Sequence, residues 1–141
     1  MVFNQERILI VVAHADDEVL GCGGLLMHHT GPKHVIVCTR SGSIHNVQTK
    51  LDKALKQASR TAHYTYTELG YADQQLDIIL RLELQQKIEA AIEKFKPDVV
   101  FTHTYKDHNL DHRIVHEATN VAARFVSNLF YFQVPSPGAQ T

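Results

Sequence analysis

Ile8-Leu9-Ile10-Val11-Val12-Ala13-His14-Ala15-Asp16-Asp17-Glu18 passes abruptly from an unbroken apolar run to an imidazole and three carboxylates. A short, continuous apolar run of this kind reads as a strand covered on both faces, the usual state of a strand in a parallel sheet. The polar groups then fall at the strand's carboxyl end, where open α/β sheets bind ligands and do chemistry. Ionisable groups at the end of a core strand are costly to bury without partners, and a bound cation is the simplest thing that offsets the cost.

Outward from this stretch, strand-like and helix-like periods alternate. Arg7–Val12 is the first strand, and Asp17–His29 is an amphipathic helix whose leading acids suit a helix N-terminus. Gly31-Pro32 marks a turn, His34–Thr39 a second strand, Arg40–Asn46 a polar loop and Val47–Ala62 a helix with Leu51, Ala54, Leu55 and Ala58 on one face. Tyr64–Leu69 is a third strand. Ile78–Phe95 carries an apolar stripe at 80, 84, 88, 91, 92 and 95 and stops before Pro97. Asp98–Thr102 is a fourth strand, His103–Leu110 a loop, Asp111–Val126 a helix, Leu129–Val134 a fifth strand and 135–141 a tail. The alternation predicts one α/β domain over residues 1–134: a Rossmann-like, doubly wound, mostly parallel five-stranded sheet with helices on both faces. In the order 3-2-1-4-5, strands 1 and 4 flank the switch point, and the loops after Val12 and Thr102 share its crevice.

Bulk properties narrow the function classes. The chain has 141 residues, enough to bury roughly two thirds of its unfolded surface. A formal charge of −1 gives no electrostatic footprint for nucleic acid. No apolar stretch approaches the ~20 residues that cross a bilayer, and the N-terminus does not read as a signal peptide. Cys22 and Cys38 form neither a CxxC pair nor a disulfide framework, and read as free buried thiols of a cytoplasmic protein. Ten histidines are many for this length, so their positions must decide what they do.

Two clusters carry the chemistry. His14 and Asp17 stand three apart at the strand-to-helix turn, and imidazole with carboxylate suits zinc or another first-row divalent ion. The plainer reading is helix capping by Asp16 with Asp17 and Glu18 in the first turn. For Glu18 the two readings weigh equally, but capping explains neither the histidine nor the crowding of like charge. The second cluster is Asp107-His108-Asn109-Leu110-Asp111-His112, at the mouth of strand 4. Catalytic zinc usually takes three protein ligands and keeps one position for water. His14, Asp17 and His112 make such a set, leaving Asp16 to act as general base. Gly21, Gly23 and Gly24 sit inside the helix, behind the acids that would repel a phosphate, and are expected to serve close helix-to-sheet packing. His28, His29, His34, His45, His63 and His116 are background, while His103 is close enough to stay ambiguous.

With these residues in view, the chain resembles the LmbE-like (PIG-L) family of zinc-dependent de-N-acetylases. The family's AHPDDE stands here as AHADDEVLGCGG, its D-x-N-x-DHR as DHNLDHR, and LGYADQQL and PDVVFTH resemble its third-strand and fourth-strand segments, roughly over residues 5–134. The resemblance implies His14, Asp17 and His112 as Zn2+ ligands, Asp16 as base, Asp73 in sugar binding and Asp111 orienting a neighbour. It also implies removal of an acetyl group from N-acetylglucosamine-type sugars, a small-molecule partner.

Ala15 replaces the motif's proline without removing a ligand. Asn109 stands where many members carry a histidine that stabilises the oxyanion or donates a proton, which leaves Asn109 and His108 as candidates for that role. Leu51 and Ala54 occupy the region of the usual Arg-x-x-Glu pair. The chain also stops soon after strand 5, as a fragment, a compact form or a subunit would, and exposed edges favour self-association. Two rivals remain: a metal-binding module of the same fold that is catalytically incomplete, and a phospho-receiver. The latter needs an Asp closing strand 3 and a Lys after strand 5, where the chain has Glu68-Leu69-Gly70 and Gln133-Val134-Pro135.

Overall fold

Every residue of the first strand, β1 (Ile8–Val12), is buried, which a strand achieves only when both faces and both neighbours cover it. The chain continues through α1 (Asp17–His28), β2 (Lys33–Arg40), α2 (His45–Ala62), β3 (Thr65–Ala72), a 3-10 turn (Leu76–Ile78), α3 (Arg81–Phe95), β4 (Val99–His103), α4 (Leu110–Ala122) and β5 (Asn128–Phe132). The structure, a computed structural model, describes residues 5–40 and 45–135, with backbone alone for 45–49. Most of the expected Arg40–Asn46 loop and all of the tail beyond Pro135 lie outside the described residues.

The strands form one sheet in the order β3-β2-β1-β4-β5, and all four pairings are parallel. Alternate side chains of β1 point to opposite faces. Leu9, Val11 and Ala13 join Leu84 and Ile88 of α3 and Ile114 and Val115 of α4. Ile8, Ile10 and Val12 join Cys22 and Leu26 of α1 and Leu55 of α2. The doubly wound reading therefore holds, and β1 and β4 meet at the switch point. Cys22 and Cys38 are both free and buried. Among the described residues no helix is long and apolar enough to cross a membrane.

Several boundaries differ from the pattern-based ones. β3 runs past Leu69 to Ala72, because pairing with β2 resumes as Thr39↔Tyr71 and Arg40↔Ala72 after an irregularity. Gly70 takes φ 86° there, a backbone angle that glycine adopts without strain. An aspartate, Asp73, thus does follow strand 3, although Gln133 and not a lysine directly follows β5. The helix expected from Ile78 begins only at Arg81: the Leu76 N–H is tied to the Asp111 carboxylate at 3.2 Å, and Leu80 is extended at ψ 116°. Leu80 is accordingly exposed, and the buried stripe starts at Leu84. α1 ends one residue early and kinks at Cys22 (φ −132°, ψ 20°). The last helix stops at Ala122 rather than Val126, where turn bonds from Arg124 to Val121 and from Val126 to Ala123 replace helical ones. β5 pairs over Asn128–Phe132, so Val134 is buried beyond the ladder.

The packing role expected of three glycines belongs to one. A Cβ at Gly21 would strike the Phe132 ring, whereas Gly24 faces open space and Gly23 meets only Val19 at ordinary contact distance. At the opposite end of α1, the buried Lys33 ammonium donates to Leu26 O and Ala62 O, each at 2.6 Å, closing the C-termini of α1 and α2 together.

Candidate metal centre

The loop after β1 is shaped by its own side chains. Asp16 occupies the N-cap of α1 with φ 91° and makes no side-chain cap bond. Glu18, 1% exposed, reaches back to accept the Asp16 N–H at 2.7 Å, and its other oxygen accepts from the Tyr64 hydroxyl at 3.2 Å. Burial pushes the Glu18 carboxyl upward. Glu18 is therefore structural, and Asp16 stands exposed. Asp17 Oδ2 accepts the His14 N–H at 3.0 Å and so faces back over the end of β1.

α4 delivers the second cluster. The Asn109 side chain accepts from the His112 N–H at 3.3 Å, capping α4. That use of the Asn109 oxygen leaves only its amide NH2 for the oxyanion role expected from the sequence. His108 is exposed beside it.

The clusters converge. His14 Nδ1 lies 3.3 Å from Asp17 Oδ2, His112 Nε2 lies 3.2 Å from the same oxygen, and the two ring nitrogens are 3.2 Å apart. Tetrahedral zinc with bonds near 2.0–2.1 Å separates its ligand atoms by about 3.3 Å, so this near-equilateral triangle fits one such ion. The remaining nitrogens carry protons toward carboxylates. His14 Nε2 faces Asp111 Oδ2 and Asp73 Oδ1, both at 2.9 Å, and His112 Nδ1 faces Asp107 Oδ2 at 2.8 Å. Two other groupings of potential ligands surround the triangle, His103 with Asp107 and His112, and His14 with Asp73 and Asp111. Their carboxylates also hold backbone: Asp111 accepts the N–H of Gln74 (2.7 Å) and of Leu76, and Asp107 accepts that of Asn109 (2.9 Å).

His103 resolves as a neighbour rather than a ligand. The Ala13 N–H donates to its Nε2 at 3.0 Å, which places the ring proton on Nδ1, and burial favours the neutral form. Its ring stacks on that of His112 with centroids 3.9 Å apart and planes 11° apart. His116, another of the background histidines, is also buried, held between His103 O and Asn120 at 2.9 Å each.

Electrostatics follow from the crowding of carboxylates around the imidazoles. Burial opposes charge on both groups, yet hydrogen bonds from His14 to the Asp111 and Asp17 carboxylates raise it to about 10. The imidazoles gathered around Asp17 hold its carboxyl far below the ordinary range. The raised His14 places a positive charge among these carboxylates in the metal-free fold. Asp107 is the residue that sequence reasoning missed. The available signal was that a ligating histidine almost always gives its second N–H to a carboxylate or carbonyl.

Fold and site together define a doubly wound α/β protein with a His2Asp cluster at its switch point. The chain matches the family described as GlcNAc-PI de-N-acetylase (PIG-L) over residues 9–123, and it belongs to that family. No curated protein sequence matches it. Among solved structures it is similar to the conserved protein TT1542 from Thermus thermophilus, with TM-score 0.77 and 22% identity over 94% of this chain and 68% of that one. N,N'-diacetylchitobiose deacetylase from Pyrococcus horikoshii gives TM-score 0.75 and 20% identity, covering 86% and 52%. GalB, the 4-carboxy-2-hydroxymuconate hydratase from Pseudomonas putida, gives 0.69 and 19%, covering 85% and 56%. The chain thus spans about half to two thirds of the length of these neighbours, and at such identities the likeness is one of fold.

Proposed function

We propose that this chain is a zinc-dependent amidohydrolase that removes an acetyl group from an N-acetylated amino sugar or sugar conjugate. The observation that carries this reading is the triangle of His14 Nδ1, Asp17 Oδ2 and His112 Nε2, with edges of 3.2–3.3 Å. Those atoms would hold the ion, which when bound polarises an amide carbonyl and makes water a nucleophile near neutral pH. Family membership supports the reaction class. A hydratase on the same fold is a reminder that the fold alone does not select it.

The chain's own groups fall into distinct roles in this reading. Asp16, exposed and not engaged in capping, takes the proton from the attacking water and returns it to the leaving amine. Asp73, at the rim beside His14, offers its carboxylate to a sugar hydroxyl. Asp111 orients His14 through the hydrogen bond at Nε2. The Asn109 amide NH2 and the His108 imidazole are the donors available to the carbonyl oxygen as charge develops on it.

Acetate release from a panel of N-acetyl amino sugars tests the reading, with the chain stripped of metal and then reloaded with zinc. The reading expects release that disappears on stripping and returns with zinc. A second reading is a metal-binding but catalytically incomplete module with a binding role. Zinc at one ion per chain with no acetate from any substrate would select it.

A further inference from the structure

We infer that Asp107, together with the ring of His103, positions His112 so that its Nε2 alone is presented to the metal, an inference that rests on the metal reading above. The imidazole of His112 has two degrees of freedom that matter, the plane of the ring and its rotation within that plane. His103 fixes the first. Its own ring is anchored by the Ala13 N–H at 3.0 Å and lies nearly parallel to His112, 3.9 Å away. Asp107 fixes the second, because its Oδ2 takes the Nδ1–H of His112 at 2.8 Å. A ring turned over within the stack would face Asp107 with a carbon and lose that bond.

The carboxylate of Asp107 is itself held at both oxygens. It is 3% exposed, and its other oxygen accepts the Asn109 N–H at 2.9 Å, at the residue that caps α4. One side chain therefore ties the loop after β4 to the helix that carries His112, and selects the tautomer whose Nε2 lone pair is open. A ligating histidine normally relies on such a partner, whose loss costs roughly 10- to 100-fold in metal affinity.

The Asp107→Asn variant makes the discriminating test, since it keeps shape and can keep the bond from Asn109. With its oxygen turned to Asn109, its NH2 faces His112 Nδ1 and drives the ring proton onto Nε2, closing the ligand nitrogen. Zinc affinity is measured by chelator competition on the parent, Asp107→Asn and Asp107→Ala, with the melting temperature of each metal-free protein and the cobalt-loaded visible spectrum alongside. The expected result is a loss of zinc affinity of roughly 10- to 100-fold in both variants, with an altered cobalt spectrum. Asp107→Asn should melt, metal-free, close to the parent. Parent-like affinity and spectrum in Asp107→Asn would overturn the positioning role while leaving the metal centre intact. A parent that binds no zinc would overturn the metal reading itself and this inference with it.

Discussion

Glu18 Oε1 accepts the backbone N–H of Asp16 at 2.7 Å, so the side-chain bond at the helix start is made by the third acid of the turn and not by the first. Asp16 is left with a left-handed backbone, an exposed position and no capping bond. Replacing it should therefore separate chemistry from structure. Asp16→Ala is expected to keep stoichiometric zinc and a parent-like melting temperature, while losing about 10²–10⁴-fold in acetate release. Loss of zinc from this variant, read by elemental analysis after dialysis, would show that Asp16 holds the ion.

Tyr64→Phe removes the hydroxyl that donates to Glu18 Oε2 at 3.2 Å inside the molecule. A buried carboxylate then lacks one partner, which costs about 1–3 kcal/mol. Urea denaturation of the metal-free protein measures it, and an unchanged midpoint would mean that Glu18 draws its support elsewhere.

Lys33→Met tests a different junction. The ammonium closes Leu26 O and Ala62 O at 2.6 Å each, and methionine fills similar space without a donor. Leaving the two helix-end carbonyls unpaired should cost about 1–3 kcal/mol without changing zinc affinity. A variant as stable as the parent would show that water reaches both carbonyls.

The pH dependence has a definite sign. His14 rises from 6.5 to about 10 in the metal-free fold, against the pull of burial, through bonds to Asp111 and Asp17. A raised histidine contributes stability that is fully present below 6.5 and is lost as pH climbs toward 10. Asp17 acts oppositely: its lowered carboxyl contributes stability above its unfolded value of 3.8, lost as pH falls through its folded one. Zinc must displace the His14 proton, so apparent affinity should rise with pH up to about 10, by about tenfold per pH unit for that proton alone. The gap in melting temperature between zinc-loaded and metal-free protein should widen over the same window. A pH-independent gap would contradict the assignment of that proton.

Some of this was legible from residue order and some was not. β1 and the His14–Asp17 turn are contiguous, and their apolar-then-acidic pattern carries both fold and site. The alternation of periods was enough to place His112 opposite them, because strands 1 and 4 of a doubly wound sheet are neighbours. Long-range backbone bonds escaped. The Asp111 carboxylate holds the N–H groups of Gln74 and Leu76, and that tether delays α3 to Arg81 despite an apolar pattern reaching back to Ile78. The tautomer of His103 depends on the backbone of a different strand, so its neutrality could not be read from its own surroundings in sequence. The three glycines looked alike as a cluster, and only the position of Phe132 distinguishes Gly21 from the other two.

Zinc stoichiometry is the most direct test, measured by elemental analysis on the parent and on His112→Ala after dialysis against a weak chelator. One ion per chain in the parent and none in the variant is the predicted result. Equal zinc in both, or none in either, would contradict a centre built from His14, Asp17 and His112.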